Sequence, residues 1–273
     1  MKKLSICIPT YNNTGVMHNT NYNNITMLED LLSSIKKQTF TDYEIIISDH
    51  STDDSIFKIC EKWGSVLDIK YYRYTEDYGS CESNLNNAMS FAKGKYIKPI
   101  LQDDFIYTID ALEKQVKVLD KGYKWVASGC WHINENNINQ IFNPHPPKWT
   151  NDLPKLLNGF NLIGSPSVIM HVNDGLRYDV NLIWLMDVEF YYLLYQKYGL
   201  PLLIDNLDYI SRLRSDGITN TKITNEIINE EKSYLYKKHI LGIDVKLDEY
   251  PTIKKRVLNF KKRQNEKRND TIV

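Results

Sequence analysis

Along the chain, apolar runs of strand length alternate with amphipathic runs of helix length. "LSICIPT" (4–10) is short and apolar. After an Asn-rich stretch, "TMLEDLLSSIKKQ" sets Leu28, Leu31, Leu32 and Ile35 at helical spacing behind a capping box of Thr26 and Glu29. "YEIIISD" (43–49) is a β-branched run, and "STDDSIFKICEKW" follows it as a helix that Ser51 or Thr52 is placed to cap. "DIKYYRYT" and "GSCESNLNNAMSFAKG" make a third cycle, with Gly94 as the expected helix stop. "KYIKPILQ" and "TIDALEKQVKVLDKG" make a fourth, ending at Gly122. Four strand-then-helix cycles predict an α/β domain with a mainly parallel, Rossmann-like central sheet flanked by helices.

Past about residue 124 the rhythm changes. "KWVASGCWHI", "NQIF", the Pro-rich "NPHPPKW", a short helix near 150–158 and "IGSPSVIMH" bring strands closer together, so this half is expected to be mixed. "LIWLMDVEFYYLLYQKYG" (182–199) reads as a long helix, "LPLLIDNLDYISRLR" as extended chain, and the remainder as helical. The expected division is 1–122 and 123–220 as two halves of one domain, then a helical C-terminal extension over 221–273.

Charge narrows the function classes. Lys+Arg and Asp+Glu stand at 34 each, so the chain lacks the global basic field of a nucleic-acid binder. Cys7, Cys60, Cys81 and Cys130 are far apart without CxxC spacing and read as reduced core residues of a cytoplasmic protein. The histidines form no HxxxH or HExxH pair, which leaves no zinc motif. No window reaches the roughly 18–20 apolar residues of a membrane span, and the apolar start meets Pro9 too early for a signal peptide, so a soluble protein is expected. The absence of GxxxxGK[ST] and GxGxxG motifs removes P-loop and dinucleotide enzymes.

The candidate chemistry sits after the apolar runs. Ligands of open parallel sheets bind beyond the carboxyl ends of the strands, and three polar clusters stand there: "PTYN", "SDHS" with Asp49, and "QDD" with Asp103 and Asp104. Two neighbouring carboxylates at such an edge repel, and at least one titrates high unless a cation compensates. Mg²⁺ or Mn²⁺ resolves the conflict, taking one or two carboxylates together with phosphate oxygens and water. Successive residues of an extended chain point opposite ways, so one Asp is free to hold metal while the other takes a hydroxyl or an amide. The same pair would also serve as a solvated turn.

"SICIPTYNN", "IIISDHSTDDS", "YGSCESNLNNAMSFAKGKYI" and "LQDD", in that order and spacing, resemble the inverting family 2 glycosyltransferases of the GT-A fold. The likeness is strong over about residues 3–107 and weaker beyond, where "GSPSVIM" and "LMDVEF" fall at the places of an acceptor-side loop and a catalytic acid. It implies sugar transfer from a nucleotide diphosphate donor, commonly UDP-linked, with Mn²⁺ or Mg²⁺. Residues 1–122 would then hold the donor and 123–220 the acceptor. By position, Pro9, Thr10, Tyr11 and Asn12 would line the nucleotide, Asp49 would face the uracil, Asn84 would match the family's Asn in "ARN", Asp103 would approach the ribose, and Asp104 would ligate the metal. Asp187 would be the general base, taking the proton of the attacking hydroxyl, and Ser165 and Trp184 would meet the acceptor. Asp187 also reads as a polar-face residue of its helix. The chain departs from the family at Glu82 and Ser83, at Gln102 where a third Asp is common, and at Arg214 where a His often completes the metal shell. A guanidinium cannot ligate a cation but pairs bidentately with phosphate, so Arg212 or Arg214 is expected on the diphosphate.

The implied partners are a UDP-sugar and a glycan or lipid-linked acceptor of a bacterial-type surface polymer. The tail from Lys254 to Arg268 is basic with interleaved Ile253, Val257, Leu258 and Phe260. It is suited to rest on an anionic inner membrane face, at about 1 kcal/mol per basic residue, or to fray in solvent. Two rivals stay open: a transferase-like module that binds without turnover, and a sugar nucleotidyltransferase, which would normally show a Gly-rich basic loop that "PTYNNTGV" lacks.

Overall fold

The computed structural model describes residues 2–12, 26–134, 137–215 and 217–259. In chain order it contains β1 (Leu4–Thr10), α1 (Met27–Lys36), β2 (Tyr43–Asp49), α2 (Ser55–Gly64), β3 (Ile69–Arg73), α3 (Cys81–Ser90), β4 (Tyr96–Pro99), β5 (Phe105–Ile106) and α4 (Ala111–Asp120). The second half adds β6 (Trp125–Asn134), β7 (Asn137–His145), α5 (Leu153–Leu157), β8 (Ile169–Val172), α6 (Met186–Tyr198), β9 (Leu202–Leu213), α7 (Ile218–Thr221) and α8 (Asn225–Leu235). Residues 251–259 are again helical. Most of the Asn-rich stretch after β1, and Phe260, Lys261, Lys262, Arg263, Lys267 and Arg268 of the basic tail, lie outside the described residues.

One sheet runs through both halves, in the order β3-β2-β1-β4-β8-β6-β9-β5, with β7 paired to β6. β3, β2, β1 and β4 are mutually parallel, as their continuous apolar runs predict for strands covered on both faces. Past β4 the sheet is mixed: β8 is antiparallel to β4 and to β6, and β9 is parallel to β6. The carboxyl ends of β1, β2, β4, β6 and β9 therefore share one edge with the start of β8. Pro9 stands beyond the last β1–β4 pair, Cys7 with Pro99, so its missing N–H removes no ladder bond. Among the described residues no helix is long and apolar enough to cross a membrane.

The capping box of α1 is present as read: Thr26 accepts from the Glu29 amide and Glu29 reaches back to the Thr26 backbone. Three readings need correction. α2 starts at Ser55, behind Asp54, without acids in its first turn. Ser51 is taken up elsewhere, its amide donating to Asp49 and its hydroxyl accepting from the Asn12 amide. Gly94 does not stop α3, which ends at Ser90. It lies against β1, where a Cβ would stand 2.6 Å from the Ser5 nitrogen. α6 begins at Met186, not at 182, because the amides of residues 183–185 turn onto the Glu231 carboxylate. Trp184 therefore precedes the helix, and its ring closes on Gly159, where a Cβ would come within 2.8 Å of it.

Candidate active site

At the shared edge, Thr10 and Asp49 are register partners at the ends of β1 and β2. Asp49 is fully buried and accepts from Thr10 Oγ1 (3.1 Å), the Ser51 amide (2.8 Å) and Tyr71 OH (2.8 Å), with Arg73 Nε 3.8 Å away. Both of its oxygens are thus engaged within the protein. Burial first, then the hydrogen bond to Asp49, pushes the Tyr71 hydroxyl well above the usual phenol range.

Asn84 Nδ2 donates to the Thr10 carbonyl (2.9 Å), bringing the start of α3 to the end of β1. Asn12 Oδ1, Asn84 Oδ1 and Glu82 Oε1 are buried acceptors that no donor reaches among the described residues. Unpaired buried acceptors are costly, and those of Asn12 and Asn84, both at the end of β1, suit a polar ligand. Burial drives the Glu82 carboxyl up to about 7. Asn12 takes φ 40°, a left-handed conformation that Asn tolerates. Tyr11 is 43 % exposed, its ring edge-on to Tyr78 at 5.5 Å.

Gln102 has a clear place. Its Oε1 accepts from the Tyr11 amide (3.0 Å) and its Nε2 donates to the Tyr11 carbonyl (3.1 Å). A carboxylate only accepts, so an Asp at this position would leave the carbonyl unanswered. The departure from three acids in a row stitches the loop after β4 to the loop after β1.

Asp104 is buried, 2 % exposed, with Oδ2 accepting from Ser165 Oγ (3.1 Å) and Oδ1 facing the Arg212 amide (3.3 Å). Burial first, then the neighbouring Asp103 charge, raises its carboxyl to about 7. That is the like-charge conflict expected of the pair. Among the described residues no group of three or more His, Cys, Asp or Glu gathers as a metal cage. Asp104 is a hard oxygen donor of the kind a divalent cation takes singly or in pairs, the rest of the shell coming from water or from ligand oxygens.

Lys98 lies beneath this site. Fully buried in β4, it donates to the carbonyls of Ser167 (2.6 Å) and Ile169 (2.9 Å) and to Gln115 Oε1 (3.2 Å). Burial lowers its ammonium well below the usual lysine range. The single Lys inside an apolar run was the available signal. Lys98 anchors the short 3-10 turn Pro166–Val168, whose Ser167 Oγ accepts from the Leu101 amide (2.9 Å) just ahead of the acids.

Asp187 sits in the first turn of α6. Its Oδ2 accepts from Asn161 Nδ2 (2.7 Å) and its Oδ1 from the Val188 amide (2.7 Å). Burial lifts the carboxyl to about 7, against those hydrogen bonds. Asn161 Oδ1 in turn accepts from the Ile163 and Gly164 amides (3.0 Å each), and the Gly164 carbonyl accepts from Asn161 and from Tyr191 OH (2.9 Å each). One short segment, 161–165, thus holds Asp187 at its start and Asp104 at its end.

The two arginines separate. Arg212 is buried: it pairs with Asp30, donates to the Asp103 carbonyl (2.7 Å) and lies over the Phe105 ring at 4.7 Å. It braces the acid turn. Arg214 is half-buried with Nη1 3.5 Å from Met27 Sδ. Sequence reasoning missed Lys98, Tyr71, Asn161, Ser167 and Glu231.

Comparison with known proteins agrees with this geometry. A glucosyltransferase of Campylobacter jejuni, "GalNAc(5)-diNAcBac-PP-undecaprenol beta-1,3-glucosyltransferase", is 29 % identical over 143 residues, 52 % of this chain and 42 % of that one. The chain thus spans under half the length of that relative. "Glycosyltransferase GlyG" of Streptococcus pneumoniae is 27 % identical over 239 residues, 80 % of this chain and 73 % of its own. The solved S. aureus TarS 1-349 in complex with UDP-GlcNAc superposes with a TM-score of 0.67 at 20 % identity, covering 94 % of this chain and 72 % of that one. The mannosyltransferase PcManGT of Pyrobaculum calidifontis, solved with GDP-Man and Mn²⁺, gives 0.61 at 14 % identity over 92 % and 68 %. These likenesses show the GT-A fold. The family model Glycos_transf_2 matches residues 5–181, well over half of the sequence, and the chain belongs to glycosyl transferase family 2.

Proposed function

We propose that the protein is an inverting glycosyltransferase that moves a sugar from a nucleotide diphosphate donor, a UDP-sugar, to a hydroxyl of a glycan or lipid-linked acceptor by a single displacement. The observation that carries this reading is the tethering of Asp104 and Asp187 to the two ends of segment 161–165. An acid suited to the leaving group and an acid suited to the nucleophile are thereby set apart on one rigid piece of chain.

In this reading Asp187 takes the proton of the attacking hydroxyl; burial brings its carboxyl near 7, where a base both holds its unprotonated form and accepts a proton well. Pro9, Thr10, Tyr11, Asn12 and Asn84 surround the nucleoside, and the unanswered oxygens of Asn12 and Asn84 take its N–H and O–H donors. Asp49, with its oxygens already engaged, shapes this pocket through Thr10 and Tyr71. Asp103 meets the ribose. Asp104, together with the donor's phosphates, would hold Mg²⁺ or Mn²⁺, which would supply positive charge against the departing diphosphate. Arg212 is committed to Asp30, and this reading assigns Arg214 to the diphosphate, with which a guanidinium pairs bidentately. Ser165 and Trp184 border the acceptor side, with Ser165 oriented by Asp104.

The undecaprenol-linked acceptor in the name of the Campylobacter jejuni relative supports a lipid-linked glycan as substrate. A membrane-facing tail fits such an acceptor, although Ile253 and Arg256 at its start are turned inward, Ile253 buried and Arg256 donating to the Asn181 carbonyl. Vesicle flotation with and without residues 260–273 tests the rest.

The deciding experiment is a thermal-shift panel of nucleotide sugars with and without Mn²⁺, followed by donor turnover in the native protein, Asp104→Ala and Asp187→Ala. Stabilisation by one UDP-sugar and loss of turnover in both folded variants is expected. Turnover that survives both substitutions would end this reading, and binding without turnover in the native protein would favour a non-catalytic module.

A further inference from the structure

The helix that carries Asp187 is not started by its own sequence. Leu185, at its N-cap, offers no side-chain acceptor. The acceptor comes from α8. Glu231, fully buried, takes the Ile183 amide on Oε1 (2.7 Å) and the Trp184 and Leu185 amides on Oε2 (3.0 and 2.9 Å). Three successive amides converging on one anion form a backbone nest, and hydrogen bonds to a carboxylate are about twice as strong as neutral ones. Negative charge at this end of α6 also complements the helix dipole.

The last helical stretch backs this contact. Arg256 Nη1 lies 3.7 Å from Glu231 Oε1, and its Nη2 donates to the Asn181 carbonyl. The adjacent Glu230 does a separate task, accepting from the Thr252 and Ile253 amides at 2.9–3.0 Å and so capping residues 251–259. Side-chain caps of α8 thus fasten two different segments.

We propose that Glu231 is a positioning residue for Asp187: by gripping the amides of residues 183–185 it fixes the first turn of α6, and with it the direction of the Asp187 carboxylate. The grip comes from beyond residue 181, where the match to the family model ends. This inference rests on Asp187 as the base. A misplacement of about 1 Å costs on the order of a hundredfold in rate, so a lost grip is read in kcat before it is read in donor affinity. Charged groups sharing the surroundings are Arg256, Glu82 and Asp187 itself.

The test uses the full chain and release of UDP from UDP-glucose and UDP-GlcNAc with water as acceptor, comparing native, Glu231→Gln, Glu230→Gln and Asp187→Asn. Expected for Glu231→Gln is a kcat at least about tenfold lower, with donor KM and UDP affinity within about twofold. Removing its negative charge also moves the acid limb of the kcat profile to lower pH, and amide exchange speeds up in the peptide covering 182–190. Glu230→Gln should lose melting temperature and keep kcat. Should Glu231→Gln fail to fold, Glu231→Asp, which keeps the charge but retracts the oxygens, carries the kcat and amide-exchange arms of the test, with the acid limb unmoved. A Glu231 variant with native kcat and pH profile, or an equal kcat loss in Glu230→Gln, overturns the inference while an inactive Asp187→Asn leaves the base intact. An Asp187→Asn protein that turns over normally removes the base and this inference together.

Discussion

Asn161 Nδ2 donates to Asp187 Oδ2 at 2.7 Å and to the Gly164 carbonyl at 2.9 Å, so the orientation of the acid and the turn that leads to Ser165 are set by one amide group. Its Oδ1 is occupied by two backbone amides, which fixes which end of the side chain faces Asp187.

The rate should therefore follow Asp187. Activity is expected to fall as pH drops through about 7, where burial has placed its carboxyl. Asp187→Asn should lose about 10²–10⁴ in kcat. The Asn161 bond holds the carboxyl down against that burial, so Asn161→Ala should move the acid limb of the kcat profile upward. A stability effect follows from the same shift. Between the ordinary carboxylate range and about 7 the folded state binds the extra proton, so this group's contribution to stability declines as pH rises through that window. Asp187→Asn should melt higher than native at pH 8.

Asp104 should couple donor and cation. With UDP at a hundredfold excess over its Kd, binding adds about 2.7 kcal/mol to stability, and part of this increment is expected only when Mn²⁺ is present. Asp104→Asn should keep the metal-independent part and lose the rest. An equal Mn²⁺ increment in the variant, measured by thermal shift, would place the cation elsewhere.

Arg212 and Arg214 should behave differently. Removing the buried Arg212 strips a partner from Asp30 and from the Asp103 carbonyl, and Arg212→Ala should cost about 1–3 kcal/mol of stability in urea unfolding. Arg214→Ala should weaken UDP binding, measured by calorimetry. Unchanged UDP affinity would remove Arg214 from the diphosphate.

Local grammar made much of this molecule legible. The apolar runs 4–10 and 43–49, the Thr26 and Glu29 box and the acids after β4 all rest on contacts within a few residues or on a strand's burial pattern. What escaped rests on partners far along the chain. Glu231 lies 46 residues from Leu185, and Asn161 lies 26 from Asp187. Such acids and amides look like ordinary helix and loop residues until the fold brings them in. The misplaced start of α6 has the same cause, since residues 182–185 carry a helical pattern that a distant carboxylate overrides. The sequence offers Ser51 or Thr52 as a helix cap because the competing partners of Ser51, Asp49 and Asn12, act through the shape of the site.

Gly94 offers a test that separates fold from chemistry. Its place in the sequence reads as a helix terminator, yet its lack of a side chain serves the approach of two backbones: a Cβ would lie 2.6 Å from the Ser5 nitrogen and 2.7 Å from the Leu4 carbonyl carbon. Its amide also donates to Ser5 Oγ at 2.8 Å, and that hydroxyl donates to the buried Glu44. Backbone atoms of a central strand cannot step aside as a flexible side chain would, so the strain falls on β1 itself. Gly94→Ala should lose about 1–3 kcal/mol or more. Were Gly94 a left-handed helix stop, Ala would be strained there and Asn would be the milder replacement. Urea midpoints of the Ala and Asn variants decide: both should be destabilised, Asn more than Ala. Because Ser5 lies at the opposite end of β1 from Thr10, UDP affinity of the folded fraction should stay native.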